Sequence, residues 1–157
     1  PMKRLYLMRH GHSPTTLEAG VSSDALRPLS DLGREDARRM AGELVRLGCA
    51  PGLILHSPLL RAVQTAAEMA SVLKPPGGRE LFAPLDNTRP AEEVSAALAA
   101  RGASVDEVLA VGHQPQIGEL AALLSETAFE FRPATIVAVE FSPEPRVLWA
   151  MSPERTK

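Results

Sequence analysis

This chain offers little that could staple, anchor or coat. Of its 157 residues one is a cysteine, Cys49, so no intramolecular disulfide can form and a reducing, cytoplasmic setting is expected. No apolar run approaches the roughly 20 residues of a spanning helix. No apolar stretch of leader type follows Lys3 and Arg4 either, so neither a membrane partner nor a secretory signal is expected. Positive charge is not in excess: 17 basic side chains face 19 acidic ones, a net charge of -2. That balance speaks against a nucleic-acid partner, although it leaves room for a local basic pocket. No repeat period or low-complexity tract suggests a solenoid or a linker. Gly77-Gly78 is not followed by Gly-Lys-Ser/Thr and reads as a helix-ending turn, not a phosphate loop. What remains is 45% hydrophobic and 23% charged residues, the make-up of an ordinary globular chain. Residues 1–157 are expected to form one domain.

Short apolar runs alternate with longer amphipathic stretches. Leu5–Met8 is continuous in the manner of a strand buried on both faces, and a polar segment with Pro14, Gly20, Asp24 and Pro28 follows as a loop. Ser30 caps a helix carrying Ala37, Met40, Ala41, Leu44 and Leu47, which Gly48 and Pro51 end. Leu53–Leu55 is the second strand. Ser57-Pro58 reads as the cap and first turn of a helix that Pro75–Gly78 stops. A weak strand at Leu81-Phe82, a helix over Ala91–Arg101, a strand at Val108–Val111 and a helix over Pro115–Ser125 come next. Two β-rich runs, Thr135–Phe141 and Arg146–Met151, close the chain as an edge hairpin. The alternation predicts an α/β fold: a three-layer sandwich, mostly parallel sheet with helices on both faces, and a C-terminal antiparallel edge hairpin.

Ligands of such sheets sit beyond the carboxyl ends of the strands, and the chemistry here collects there. Arg9-His10-Gly11-His12 follows the first strand, and His56-Ser57 the second, with Arg61 one turn onward. Asp86, Arg89, Glu92 and Glu93 follow the third, and Gly112-His113-Gln114-Pro115 the fourth. Arginines, imidazoles and helix N-termini in one cleft suit a dianion, most naturally phosphate.

Arg9-His10-Gly11 directly after a first strand resembles the R-H-G signature of the histidine phosphatase superfamily, which includes the phosphoglycerate mutases. Leu29-Ser30-Asp31-Leu32-Gly33 is similar to that family's first-helix opening. Ser57–Ala66 is similar to its S-P-x-x-R-A-x-Q-T-A block, and Val111-Gly112-His113 to its second-histidine motif. Arg27–Ser30, Gly112–Pro115 and Trp149–Pro153 are closer still to the SixA-type phosphohistidine phosphatases. The resemblance implies a metal-independent, cofactor-free phosphatase acting on a phosphorylated protein. A phosphatase for a small phosphorylated metabolite (a sugar or nucleotide phosphate) and a phosphate-binding module without turnover stand as alternatives.

On this reading His10 is the nucleophile that takes the phosphoryl group, Arg9 and Arg61 clamp its oxygens, and His113 donates from across the phosphate. Gly11 lets backbone approach the phosphate closely, with Arg27 and Gln114 as further binding residues. Asp86 and Glu92 are candidates for a general acid, though their spacing does not match the family pattern. A phosphoramidate leaving group is easily protonated and needs a strong acid least. Several residues also have plainer readings. Arg27 is equally an ordinary loop charge, His56 a structural hydrogen-bonding residue, and Cys49 a packing residue. His10 and His12 could form a metal pair, but the neighbouring arginines would repel a divalent cation. His12 stands where the family commonly has an acidic residue.

Overall fold

The computed structural model describes residues 1–154. Six strands form one mixed sheet: β1 (Arg4–Arg9), β2 (Leu53–His56), β3 (Arg79–Leu81), β4 (Glu107–Gly112), β5 (Ile136–Phe141) and β6 (Pro145–Met151). Their spatial order is β3-β2-β4-β1-β5-β6. The first four run parallel, whereas β5 is antiparallel to β1 and β6 antiparallel to β5. The expected edge hairpin is therefore present, with β5 pairing along the whole apolar run of β1.

Successive residues of the buried strands point to opposite faces. Leu5, Leu7, Val108 and Ala110 enter one core, which α4 (Ala91–Arg101) and α5 (Gln116–Ser125) cover through Val94, Leu98, Ile117 and Leu120. Tyr6, Met8, Leu109 and Val111 enter the other, covered by α2 (Asp31–Arg46) and α3 (Leu60–Leu73) through Met40, Leu44, Ala66 and Met69. Two helices on each face make the three layers. No helix among the described residues is long and apolar enough to cross a membrane.

Ser30 caps α2 as its sequence predicts, its hydroxyl accepting from the Gly33 N–H at 3.0 Å. Gly48, just past the helix, has φ +77°, a left-handed conformation that glycine adopts without a steric cost. Four local expectations need correction. The segment read as a loop contains α1 (Thr16–Ala19), closed by a Thr15/Glu18 capping box, and a single 3-10 turn at Asp24–Leu26. Leu47 lies beyond the last turn of α2 and is exposed, not on the core face. The weak third strand ends at Leu81, because Phe82 turns into a 3-10 helix over Ala83–Leu85. The fourth concerns Ser57: α3 begins at Leu60 after Leu59, and the Ser57 hydroxyl is drawn into the site instead.

Candidate active site

Parallel pairing brings distant residues to one edge. Arg9 at the end of β1 stands opposite Gly112 of β4, and His56 at the end of β2 opposite Val111. His10, Ser57 and His113 therefore leave the sheet side by side. The His10 and His113 rings lie with centroids 5.0 Å apart, and both side chains are buried.

The turn after β1 is held by backbone so close that two positions must be glycine. A Cβ on Gly11 would lie 2.8 Å from the Gly33 carbonyl oxygen, and one on Gly33 would overlap the carbonyl of His12. The first turn of α2 is thus pressed directly onto the His10 turn, which gives the Leu29–Gly33 stretch a structural reason. The Ser57–Ala66 stretch completes the hold from α3. Thr65, fully buried, accepts the Gly11 N–H at 3.1 Å, and Gln64 accepts the Leu29 N–H at 2.8 Å.

Hydrogen bonding fixes the His10 tautomer. Nδ1 lies 2.7 Å from the Gly11 carbonyl oxygen, which can only accept, so Nδ1 carries the hydrogen. Nε2 is therefore unprotonated, and its lone pair accepts from the Arg61 Nε–H at 3.3 Å. Burial pushes the His10 ring down to about 3, against the Gly11 bond; His113, Arg61 and Arg9 push the same way. His113 is pushed down to about 4, again chiefly by burial and then by Arg61 and Arg9, with Asp24 and Asp86 opposing. Both rings are neutral at neutral pH.

His113 Nε2 lies 2.6 Å from Ser57 Oγ, which itself accepts the Leu59 N–H at 3.1 Å. A Ser57 O–H given to Nε2 puts the His113 hydrogen on Nδ1. Among the described residues, two buried side-chain nitrogens lack a hydrogen-bond partner, and they are His113 Nδ1 and Arg9 Nε. Arg9 donates through Nη1 to the Phe131 carbonyl at 2.8 Å, and burial together with Arg61 and Arg27 lowers its pKa. Burial beside two other guanidiniums disfavours a cation, and an arriving anion would relieve that penalty.

Arg61 carries more than its sequence position implies. Besides facing His10, it donates through Nη1 to the Asp24 carbonyl at 2.9 Å and through Nη2 to the Asp24 carboxylate at 3.0 Å. Asp24 also accepts from Arg27 Nη1 at 3.0 Å, and Arg27 chiefly, with Arg61, holds its carboxyl below the usual range. Sequence reading passes over Asp24. Its only signal is an acid three residues before Arg27 in an unpatterned stretch.

Other candidates are placed differently. Arg27 spends its remaining nitrogens on the carbonyls of Pro14 and Ser13, closing the segment between them. The Gln114 side-chain oxygen accepts the Gly118 N–H at 2.8 Å and so caps the start of α5. Asp86 accepts from both the N–H and hydroxyl of Thr88, while Glu92 is exposed in the first turn of α4. His56 donates from Nδ1 to the Ser57 carbonyl at 2.9 Å, in keeping with a structural role. His12 rests its Nδ1 against Ser30 Oγ at 2.7 Å and is exposed. No group of three or more His, Cys, Asp or Glu among the described residues could hold a metal ion.

Comparison with known proteins agrees with this geometry. Residues 5–82 match the model of the histidine phosphatase superfamily (branch 1). The phosphohistidine phosphatase SixA of Escherichia coli (strain K12) is 34% identical over 155 residues, covering 96% of this chain and 94% of that protein. A solved structure of the protein histidine phosphatase SixA complexed with tungstate superposes with a TM-score of 0.86 at 33% identity, covering 96% of this chain and 97% of that one. A phosphoserine phosphatase from Entamoeba histolytica shares the fold, with a TM-score of 0.71 at 16% identity over 95% of this chain and 96% of that one. A buried histidine pair between arginines, on a chain alike to SixA over nearly its whole length, makes this protein a phosphatase that belongs to the histidine phosphatase superfamily.

Proposed function

We propose that this chain removes a phosphoryl group from the imidazole of a protein histidine, by way of a covalent intermediate on His10. The observation that carries the reading is the His10 ring: neutral, its hydrogen committed to Gly11, its unprotonated Nε2 held only by a long bond from Arg61. Nε2 attacks phosphorus in line. The P–N bond to the substrate breaks, its electron pair goes to the leaving imidazole, and phospho-His10 forms. Water then attacks the same phosphorus, the P–Nε2 bond breaks with its pair returning to His10, and phosphate leaves with the oxygen of the water.

Arg9, Arg61 and His113 supply the positive and donor groups around the transferring phosphoryl. The partnerless Arg9 Nε and His113 Nδ1 support that role, since phosphoryl oxygens would satisfy both. Gly11 and Arg27 serve by holding the turn and the loop, and the Gln114 side chain by capping α5. Asp86 is bonded to Thr88 and Glu92 is exposed on α4, so neither is supported as a strong acid. That suits a nitrogen leaving group, and SixA, the relative alike over nearly its full length, is a phosphohistidine phosphatase. A phosphorylated protein in the cytoplasm is the matching partner.

The test compares turnover of a phosphohistidine protein with a panel of sugar and nucleotide phosphates, in EDTA throughout. Preference for the phosphohistidine protein is expected, and preference for a monoester would overturn the substrate assignment. In parallel, His10→Ala is expected to lose about 100-fold or more in rate on every substrate, with its circular dichroism unchanged. Parental activity in that variant would sink the nucleophile.

A further inference from the structure

Among the described residues Asp24 is the one carboxylate tied to the arginines of the cleft, and the phosphoryl transfer above does not use it. Its carbonyl and one carboxylate oxygen both accept from Arg61, and its other oxygen accepts from Arg27. The Arg61 guanidinium thus reaches from His10 Nε2 at one end to Asp24 at the other. The Arg61 side chain is 8% exposed and that of Asp24 61%, so Asp24 sits on the solvent side of the arginine. Through Arg61 its carboxylate is tied to the guanidinium that faces His10, and its charge opposes the lowering of the His113 pKa. Each carboxylate oxygen keeps a lone pair beyond its arginine bond.

A phosphoryl group on His10 Nε2 has its leaving group on the solvent side, and Asp24 is on the solvent side of the arginine that faces Nε2. For a monoester the leaving oxygen departs carrying negative charge, which a fixed carboxylate opposes. For phosphohistidine the imidazole departs neutral only if its second nitrogen already holds a proton. The substrate is then cationic on that ring, and a carboxylate attracts it.

Resting on the phosphohistidine reading, we propose that Asp24 is the specificity residue of this site. Held at the mouth by Arg61 and Arg27, its carboxylate accepts the N–H of the protonated substrate imidazole. The P–N bond breaks, its pair stays on the departing nitrogen, and the proton that Asp24 held in place leaves with the neutral imidazole. A negative charge that burdens phosphomonoesters thereby favours nitrogen-borne phosphoryl groups.

Asp24→Asn keeps the shape and an acceptor for Arg61 while removing the charge. The wild type, Asp24→Asn and Asp24→Glu would be compared on free phosphohistidine and on p-nitrophenyl phosphate, whose leaving group needs no proton. Asp24→Asn is expected to lose about tenfold or more in kcat on phosphohistidine beyond any loss on the aryl ester. Asp24→Glu should recover part of that difference, a result that loss of packing would not give. Equal losses on both substrates would reduce Asp24 to a positioning residue for Arg61, and no loss on either would remove it from the reaction; each overturns the proposal alone. A wild type that turns over the aryl ester but not phosphohistidine would instead overturn the substrate assignment, and the proposal with it.

Discussion

Acidification tests the burial of the two site histidines directly. A free imidazole takes a proton near pH 6.5, whereas folding pushes His10 down to about 3 and His113 to about 4. Between those limits the unfolded chain binds more protons than the folded one. The stabilising contribution is therefore complete above about pH 6.5 and is lost as pH falls. At pH 4.5 each unfolded histidine has gained about two pH units of protonation that its folded counterpart resists, about 2–3 kcal/mol apiece. With exposures of 7% for His10 and 1% for His113, little solvent screening reduces that figure. Together the pair would remove about 5 kcal/mol, the whole stability of a marginal domain. Urea unfolding at pH 7.5 and 4.5 would measure it in the wild type, His10→Asn and His113→Asn. Asparagine has no such proton to gain, so each variant should lose about 2–3 kcal/mol less than the wild type over the same interval. Carboxylates held low in the folded state, such as Asp24, also cost stability on acidification, but they are common to all three proteins and cancel. Equal losses in all three would refute the buried, neutral histidines.

Three further outcomes are expected. Gly33→Ala drives a methyl into the His12 carbonyl and should cost about 1–3 kcal/mol in urea unfolding together with most of the phosphatase rate; an unchanged protein would mean the two backbones are not in contact. Thr65→Val leaves the Gly11 N–H without its acceptor, at a cost of about 1–3 kcal/mol, and the rate should fall with it; full activity would show that this bond does not hold the His10 turn. Tungstate or vanadate at about 100 times its Kd should raise stability by about 2.7 kcal/mol, a gain that Arg61→Ala should largely abolish; an equal gain in that variant would place the anion elsewhere.

The parallel strands and the residues beyond them are legible because their signals are local. An uninterrupted apolar run such as Leu5–Met8 reads as a strand from its neighbours alone, and the strand order then delivers His10 and His113 to one edge. What escapes the sequence depends on partners far along the chain. Ser57-Pro58 has the signature of a helix cap, yet the Ser57 hydroxyl is taken by His113, 56 residues away. Residues 13–30 show no period because side-chain bonds from Arg27 to Pro14 and Ser13 shape them. Asp24 acquires meaning only once that closure sets it against Arg61. Gly33 is a related case: it closes the Leu29–Gly33 motif, and only the contact with His12 explains why no side chain is tolerated there.

The place of β5 against β1 has a consequence for synthesis. The Ala134 N–H is bonded to the carbonyls of Arg9 and His10, the Arg9 N–H to that of Thr135, and the Arg9 side chain to that of Phe131. His10 follows β1, but the backbone that steadies its turn lies more than 120 residues later. A growing chain can lay down α2 and α3 early, yet the bonds to Phe131–Thr135 form only after more than 120 further residues. Until Phe131–Thr135 are made, the His10 turn lacks these bonds and has only the hold of α2 and α3.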